Sequence, residues 1–311
     1  MSIPSPGRLS PHDLAGDRRR QRSEAAARIV FLGAAVTSVA ITAAIIWSLA
    51  RETWTFMSTV VWSSVWGEGW FPRAGEFDIR TLVVGSLIVT AVAMTVAAPL
   101  GLGAAVYLSE YASPRVRKVL KPALEILAGI PSVVLGFFAL TFIAPELVQR
   151  IFDGSPQANL LVAGLGVGIL TIPLVASVSE DALQSVPSSL REASYGVGAR
   201  KVSTVTRVVI PAAVSGLVAA AIIAVSRALG ETMVVFIAAG GGNGAFFTTN
   251  PLDKGLTMTA AMATQAAGTD NVAGVGLSFQ SLFFVGTLLF LITLTLNLIA
   301  DRFVRRVRQK Y

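Results

Sequence analysis

Two oppositely charged side chains lie inside a long apolar stretch of the chain. Arg227 and Glu231 belong to the segment Ser-Arg-Ala-Leu-Gly-Glu-Thr-Met at 226–233, within the apolar run 208–239. An ionised side chain at the centre of a membrane helix costs about 2.5 to 3.5 kcal/mol on insertion scales. Both residues are therefore expected to face a cavity or a partner.

Two roles fit this pair. If the run is one helix, residues four apart lie on one face, so Arg227 and Glu231 can form a buried ion pair that only fixes helix packing. Alternatively, Arg227 lines a translocation path, where its planar guanidinium group suits an oxyanion, and Glu231 holds the arginine while the path is empty. Gly230 would then allow a helix or a substrate to come close.

Glu125 is a third candidate for a residue of the translocation path. It lies in the apolar run 122–144, beside a basic loop that contains Arg117 and Lys121. One interpretation is an interfacial carboxylate paired with Lys121 or Arg117. The other is a second ligand in the path or a counter-ion for Arg227.

Several kinds of chemistry are disfavoured by what the sequence lacks. It has no cysteine, and its one histidine, His12, lies in the polar N-terminal segment. Thiolate metal sites and thiol nucleophiles are thus excluded, and we expect no metal site, no cofactor and no catalytic residue in this chain. The glycines at 240–242 lack the Lys-Ser/Thr ending of a P-loop, so they predict an outer turn, and any ATP must be hydrolysed by another chain.

The elements that position these residues are predicted to be membrane helices. The chain is 53% hydrophobic and only 14% charged, whereas soluble domains carry charge on about a quarter of their residues. A span needs about 20 consecutive apolar residues. Six runs qualify and predict an all-α, polytopic membrane protein: 29–50, 82–108, 122–144, 160–178, 208–239 and 277–300.

The basic residues predict the topology. Of the 25 Lys and Arg residues, 19 lie in the two termini and in the loops 109–121 and 179–207, and 5 lie in the other three loops. The positive-inside rule places both termini and those two loops in the cytoplasm. This distribution also explains the net charge of +7 without a nucleic-acid partner.

The flanking segments complete the predicted organisation. Residues 1–28 and 301–311 are interpreted as basic cytoplasmic tails, the first of them disordered, and 29–81 as the first membrane helix with an outer loop. That loop contains Trp54, Trp62, Trp66 and Trp70. Tryptophan favours the headgroup zone, so the loop is predicted to lie along the outer interface; an alternative is a docking surface for an external partner.

The loop 179–207 has a helical pattern of its own. Serines at 188 and 189 followed by Glu192 resemble a helix start with a capping serine. Gly198 should end that helix, and residues 201–207 should form another that stops at Pro211. The prediction is a helix, a turn and a second helix lying against the membrane. Span 160–178 contains Gly164, Gly166 and Gly168, which are typical of close helix packing.

This loop resembles the permease motif of ABC importers, which reads Glu-Ala-Ala, three residues, Gly, nine residues, Ile, any residue, Leu-Pro. The matching positions are Glu192, Ala193, Ser194, Gly198, Val208, Ile210 and Pro211. Ser194, Val208 and Ile210 depart conservatively from the motif. In that family the motif forms a coupling helix that inserts into a cytoplasmic ATPase subunit, so the resemblance implies such a partner for the segment 188–211.

Arg-Ala-Leu-Gly-Glu-Thr-Met at 227–233 is similar to the fifth-helix signature of phosphate ABC transporter permeases, and its methionine resembles the PstC type more than the PstA type. Tyr-Leu-Ser-Glu-Tyr at 107–111 and Gly-Ile-Pro-Ser-Val-Val-Leu-Gly at 129–136 are also similar to that family. The resemblance covers roughly residues 80–300. It implies an importer permease fold in a bacterial inner membrane, a PstA-type second permease, two ATP-binding subunits and an extracytoplasmic phosphate-binding protein.

Other functions remain open at this stage. An ABC permease for another oxyanion or solute would keep the coupling loop without the signature around Arg227, and the chain could be the PstA-type half. An intramembrane enzyme would need a nucleophile and a base, but the predicted spans contain no His, Lys or Cys. A channel would need no ATPase-facing loop.

Overall fold

The computed structural model describes residues 18–242, 244–267 and 276–307. Six of its helices are long and apolar enough to cross a membrane, which confirms the all-α prediction. The chain divides into two compact units, residues 1–51 and 52–311. His12 and most of the predicted N-terminal tail lie outside the described residues.

The first helix, α1, is longer than predicted at both ends. It covers Arg18–Thr59, so the prediction of a disordered tail is wrong for residues 18–28. Arginine and alanine, which dominate 18–28, favour helix, and the helix therefore continues through the basic stretch. The apolar side chains between Ile29 and Trp47 are exposed.

A small sheet joins the two predicted outer loops 51–81 and 240–276. Strands β1 (Gly69–Phe71), β2 (Glu76–Phe77) and β3 (Ala245–Phe246) pair antiparallel in the order β2-β1-β3, with Trp70 opposite Phe77 and Ala245. Trp70 is buried against Phe77, with ring centroids 5.9 Å apart, so its predicted interfacial position is wrong. Trp54, Trp62 and Trp66 are exposed, and their place at the interface stays a prediction.

The remaining helices are numbered in chain order. They are α2 (Ile79–Val106, then a π-helical turn Tyr107–Tyr111), α3 (Pro114–Ala128), α4 (Ser132–Phe138, then π-helix Ala139–Val148 and Gln149–Ile151), α5 (Leu160–Gln184), α6 (Ser188–Gly196), α7 (Lys201–Thr204, then π-helix Val205–Val209), α8 (Ile210–Leu229), α9 (Met233–Ala238), α10 (Met258–Ala267) and α11 (Ser278–Val307).

Several predicted span boundaries are wrong. The third span begins at Ser132 rather than 122, because Gly129 caps α3 and Pro131 precedes α4. The fourth continues to Gln184, and the fifth ends at Leu229 rather than 239. The last helix also continues to Val307, past the predicted start of the C-terminal tail.

The core is built around the α2–α5 pair, which is the most extensive helix contact. Asn159 caps α5 by accepting a hydrogen bond from the Val162 amide at 2.8 Å. Glycines allow the two backbones to approach: a Cβ at Gly164 would lie 2.6 Å from the Val92 side chain, and one at Gly101 would lie 2.6 Å from Val175. The predicted packing role of the α5 glycines is confirmed.

We therefore expect Gly101→Ala to destabilise the protein, because the new methyl group would overlap Val175 on α5. Overpacking of this kind costs about 1 to 3 kcal/mol. The matched control is Gly103→Ala on the same helix, where a Cβ would meet nothing within 4 Å. Thermal unfolding of both variants in detergent tests this, and equal midpoints would contradict the packing argument.

Candidate functional site

Arg227 lies in the last turn of α8, and its side chain is exposed. It lines a cavity of about 340 Å³ between α3, α5 and α8, together with Lys121, Glu125, Glu180 and Pro173. Within the described part of the chain, the Arg227 guanidinium group forms no ion pair and no hydrogen bond. An unpaired cation thus faces an open volume, as the path hypothesis requires.

Glu231 does not pair with Arg227, so the predicted ion pair is wrong. The helix ends at Leu229 with Gly230 as its cap, and residues 227 and 231 therefore do not share a helical face. Glu231 is buried, 8% exposed, and its Oε1 accepts a hydrogen bond from the Val234 amide at 3.4 Å. Its backbone carbonyl accepts one from the Thr259 hydroxyl at 2.7 Å. A carboxylate is favourable there because it faces the free amides that begin α9.

Glu125 is exposed on α3, which is a separate helix and not the start of a span. The predicted pairing with Lys121 or Arg117 is wrong, because both cations bind Glu180 instead. Glu125 lines the same cavity as Arg227, but the two form no ion pair within the described residues. The cavity therefore presents one cation and one carboxylate that are each uncommitted.

Glu180 was missed by sequence reasoning. Its side chain is 1% exposed. Its Oε1 accepts a hydrogen bond from Gln184 Nε2 at 2.8 Å and lies 2.7 Å from Arg117 Nη2 in an ion pair. Lys121 Nζ lies 3.3 Å from the other oxygen, Oε2. Helical spacing could have identified it. Glu180 lies three residues after Ser177, so if α5 continues past residue 178, both side chains lie on the face that lines the cavity.

The resemblance to the coupling motif falls on two short helices. The first, α6, is the surface helix predicted there, and Glu192 and Ala193 are exposed on it. No serine caps it, because the chain enters through Pro187 and neither hydroxyl reaches a free amide. Gly198, with φ of 80°, ends the segment in the left-handed conformation that glycine tolerates.

The second helix of the motif merges with a membrane span. Ser194 Oγ lies 2.8 Å from Thr204 Oγ1, which joins α6 to α7. Helical structure then runs without a stop from Lys201 to Leu229, so the prediction that it ends at Pro211 is wrong. Pro211 lies directly after the π-helix, at the second residue of α8. Val208 and Ile210 are half-buried and Pro211 is exposed.

A junction of hydrogen bonds ties α6 to the long helices. Arg191 Nη2 donates to Glu110 Oε1 at 2.8 Å and to the Leu183 carbonyl at 2.8 Å, and Nη1 donates to the Val186 carbonyl at 2.6 Å. Glu110 lies in the last turn of α2, and Leu183 in the last turn of α5. One guanidinium group therefore connects α6 to the ends of both core helices.

A second contact supports this junction: Lys201 Nζ lies 4.9 Å from the centre of the Tyr111 ring, a cation–π distance.

Among the described residues, no group of three or more His, Cys, Asp or Glu side chains could hold a metal ion.

Comparison with known proteins adds the following. Residues 97–311 match the family model described as binding-protein-dependent transport system inner membrane component. The chain is 33% identical over 281 residues to the phosphate transport system permease protein PstC of Mesorhizobium japonicum, covering 84% of this chain and 83% of that protein. It is 34% identical over 256 residues to PstC 1 of Mycobacterium tuberculosis, covering 76% and 75%.

Solved structures are similar in fold. A bacterial alginate ABC transporter in complex with alginate pentasaccharide-bound periplasmic protein contains a chain that matches with a TM-score of 0.67 and 13% identity, over 94% of this chain and 98% of that one. A chain of the MetNI methionine ABC transporter in inward-facing conformations matches with a TM-score of 0.52 and 22% identity, over 73% and 93%.

We expect Arg191→Ala to destabilise the protein because it leaves Glu110, whose side chain is only 5% exposed, without its cation. Removing one partner of such a charged hydrogen bond costs about 1.5 to 3 kcal/mol. Arg200→Ala is the matched control, since Arg200 is an exposed arginine four residues beyond α6. Thermal unfolding compares the two, and an unchanged midpoint for Arg191→Ala would show that the junction carries no stability.

Proposed function

Since the chain belongs to the family of binding-protein-dependent transport system inner membrane components, we propose that it is a permease subunit of an ATP-driven importer of inorganic phosphate. It is a multi-pass membrane protein with six candidate spans. The substrate class rests on one observation above all: the unpaired guanidinium group of Arg227 faces a cavity within the apolar bundle. The PstC relatives support phosphate as that substrate.

The chemistry of the cavity suits phosphate. A guanidinium group presents several donors in one plane and binds tetrahedral oxyanions through paired hydrogen bonds. A water occupies about 30 Å³ in the liquid, so about 340 Å³ accommodates the ion with part of its hydration shell. Near neutral pH phosphate retains an O–H group, and the uncommitted carboxylate of Glu125 can accept a hydrogen bond from it.

Glu231 acts indirectly in this scheme. Its carboxylate stabilises the start of α9 and its carbonyl binds Thr259, so it maintains the helix break that follows Arg227. This role replaces a direct hold on the arginine, and Glu231 itself does not line the cavity that contains Arg227.

Energy would come from other chains. The proposed docking helix for the cytoplasmic ATP-binding subunits is the exposed α6, which contains Glu192, Ala193 and Ser194 and is followed by Gly198. Movement of α6 would pass to the segment that contains Val208, Ile210 and Pro211 and leads into the fifth span. The basic loops support a cytoplasmic position for this side and for both termini. The remaining partners are a second, PstA-type permease that completes the path and an extracytoplasmic phosphate-binding protein.

Transport would then proceed by alternating access. Closure of the ATP-binding subunits displaces α6, and the Arg191 junction passes that displacement to the ends of α2 and α5. Because α5 also forms one wall of the cavity, the surroundings of Arg227 change as the helices reorient. A permease for another oxyanion would use the same coupling, so substrate competition distinguishes the two functions.

We expect Arg227→Ala to abolish phosphate uptake while leaving the complex assembled, because the residue is exposed and forms no contact that holds the fold. The measurement is ATP-dependent uptake of radiolabelled phosphate into vesicles that contain the full assembly and its binding protein. Sulfate and molybdate serve as competitors.

Arg227→Lys is the matched control, since it keeps the charge and loses only the planar donor fork, and it should retain part of the uptake. Normal uptake by Arg227→Ala would contradict the site. Uptake of sulfate or molybdate in place of phosphate would keep the importer class and replace the substrate.

We further expect Glu192→Lys to uncouple ATP hydrolysis from uptake, because it reverses a charge on the exposed face of α6 without disturbing a buried contact. A reversed charge on a docking surface changes its electrostatic complementarity to the partner. Glu192→Gln, which only neutralises the group, should have a smaller effect. Measuring hydrolysis and uptake in parallel tests this, and wild-type values of both in Glu192→Lys would remove α6 from the coupling step.

A further inference from the structure

We infer that Lys121 is a second substrate contact, to which the anion passes from Arg227 on its way to the cytoplasm, and that Glu180 holds Lys121 while the path is empty. This inference rests on the proposed function, since it assigns a further residue to the same phosphate path.

Position is the first argument. Lys121 lines the cavity that contains Arg227, and it also lines a second cavity of about 520 Å³ between α3 and the end of α2. The second cavity is bordered by Arg117 and Lys118 and lies at the predicted cytoplasmic end of α2. Lys121 and Glu125 are the two residues that line both cavities, so an anion that moves from one cavity to the other passes Lys121.

The ion pairs that Lys121 makes with Glu180 and Asp181 are long. Its Nζ lies 3.3 Å from Glu180 Oε2 and 3.8 Å from Asp181 Oδ1, both longer than the usual charge-assisted bond of about 2.7 to 2.9 Å. Glu180 Oε1 meanwhile keeps Arg117 at 2.7 Å and Gln184 at 2.8 Å. Releasing Lys121 therefore leaves the buried carboxylate with one cation and one further donor.

Charge balance is the third argument. The cavity around Arg227 is lined by two carboxylates, Glu125 and Glu180, and by two cations, Arg227 and Lys121. An arriving phosphate carries one or two negative charges, which the carboxylate of Glu125 repels even where it accepts a hydrogen bond from the phosphate O–H group. A second cation that can turn from Glu180 toward the anion offsets this repulsion, and a lysine suits the task because its ammonium group is a mobile point charge with three donors.

Glu180 is accordingly a positioning residue and does not touch the substrate. It is anchored by Arg117, and it keeps Lys121 at the cavity wall instead of in the path. When the anion moves on, Lys121 returns to Glu180 and the cavity is again neutral.

The experiment uses the full assembly in vesicles and compares initial rates of phosphate uptake. We expect Lys121→Gln to slow uptake about tenfold or more, the value of one charge-assisted hydrogen bond, while Lys121→Arg retains most of the rate. Arg115→Gln is the matched control, since Arg115 is an exposed cation on the same helix that borders neither cavity, and it should transport at the wild-type rate.

A double substitution separates substrate contact from a purely structural pair. If Lys121 only neutralised Glu180, then Lys121→Gln combined with Glu180→Gln would restore uptake, and that recovery would overturn the inference. We expect the double variant to remain as slow as Lys121→Gln. Co-purification of the ATP-binding subunits with each variant confirms assembly.

Failure of the inference and failure of the proposed function give different results. Wild-type uptake by Lys121→Gln, with Arg227→Ala inactive, overturns the role of Lys121 and leaves the phosphate permease intact. A wild-type assembly that accumulates no phosphate overturns both.

Discussion

The free-energy cost of an ionised side chain in apolar surroundings governs how the charges of this chain are arranged. Glu180 and Glu110 are nearly inaccessible to solvent, and each is held by an arginine at 2.7 to 2.8 Å. Glu231 is buried at a helix start, where free amides stabilise a carboxylate. Arg227 has no such partner among the described residues and instead faces a cavity, so it is a positive charge that a substrate anion can neutralise.

The cost of an unpaired buried charge also explains the role of α3, a helix too polar to span a membrane. The side chains of Arg117 and Lys121 extend from α3 to neutralise Glu180 on α5, while Glu125 lines the cavity without an ion-pair partner among the described residues. The helix thus supplies all the charges that surround Arg227 except Glu180 itself. A surface element and a membrane helix are joined by ion pairs and not by an apolar face alone.

Hydropathy and motif spacing predicted much of this arrangement in advance. The six spans, the surface helix at 188–196 and the candidate residue Arg227 follow from apolar runs and from one charge in an unfavourable place. The helix break at Gly230 did not, since the longer runs before Arg227 and after Thr232 are apolar and a hydropathy average therefore continues through the break. The start of the third span was misplaced for the same reason, although Gly129 and Pro131 carried the turn signal. The partners of Glu180 depend on tertiary contacts between α3 and α5, which no local pattern specifies.

The two π-helical turns beside the coupling segment have a mechanical consequence. Tyr107–Tyr111 ends α2 at the residue that binds Arg191, and Val205–Val209 separates α7 from α8. A π turn holds one residue more than an α-helical turn, and shifting it along a helix by one position rotates the residue it passes by about 100°. At either π turn, a one-residue shift in the hydrogen-bond register would rotate the adjoining residue about the helix axis while the backbone hydrogen bonds remain paired.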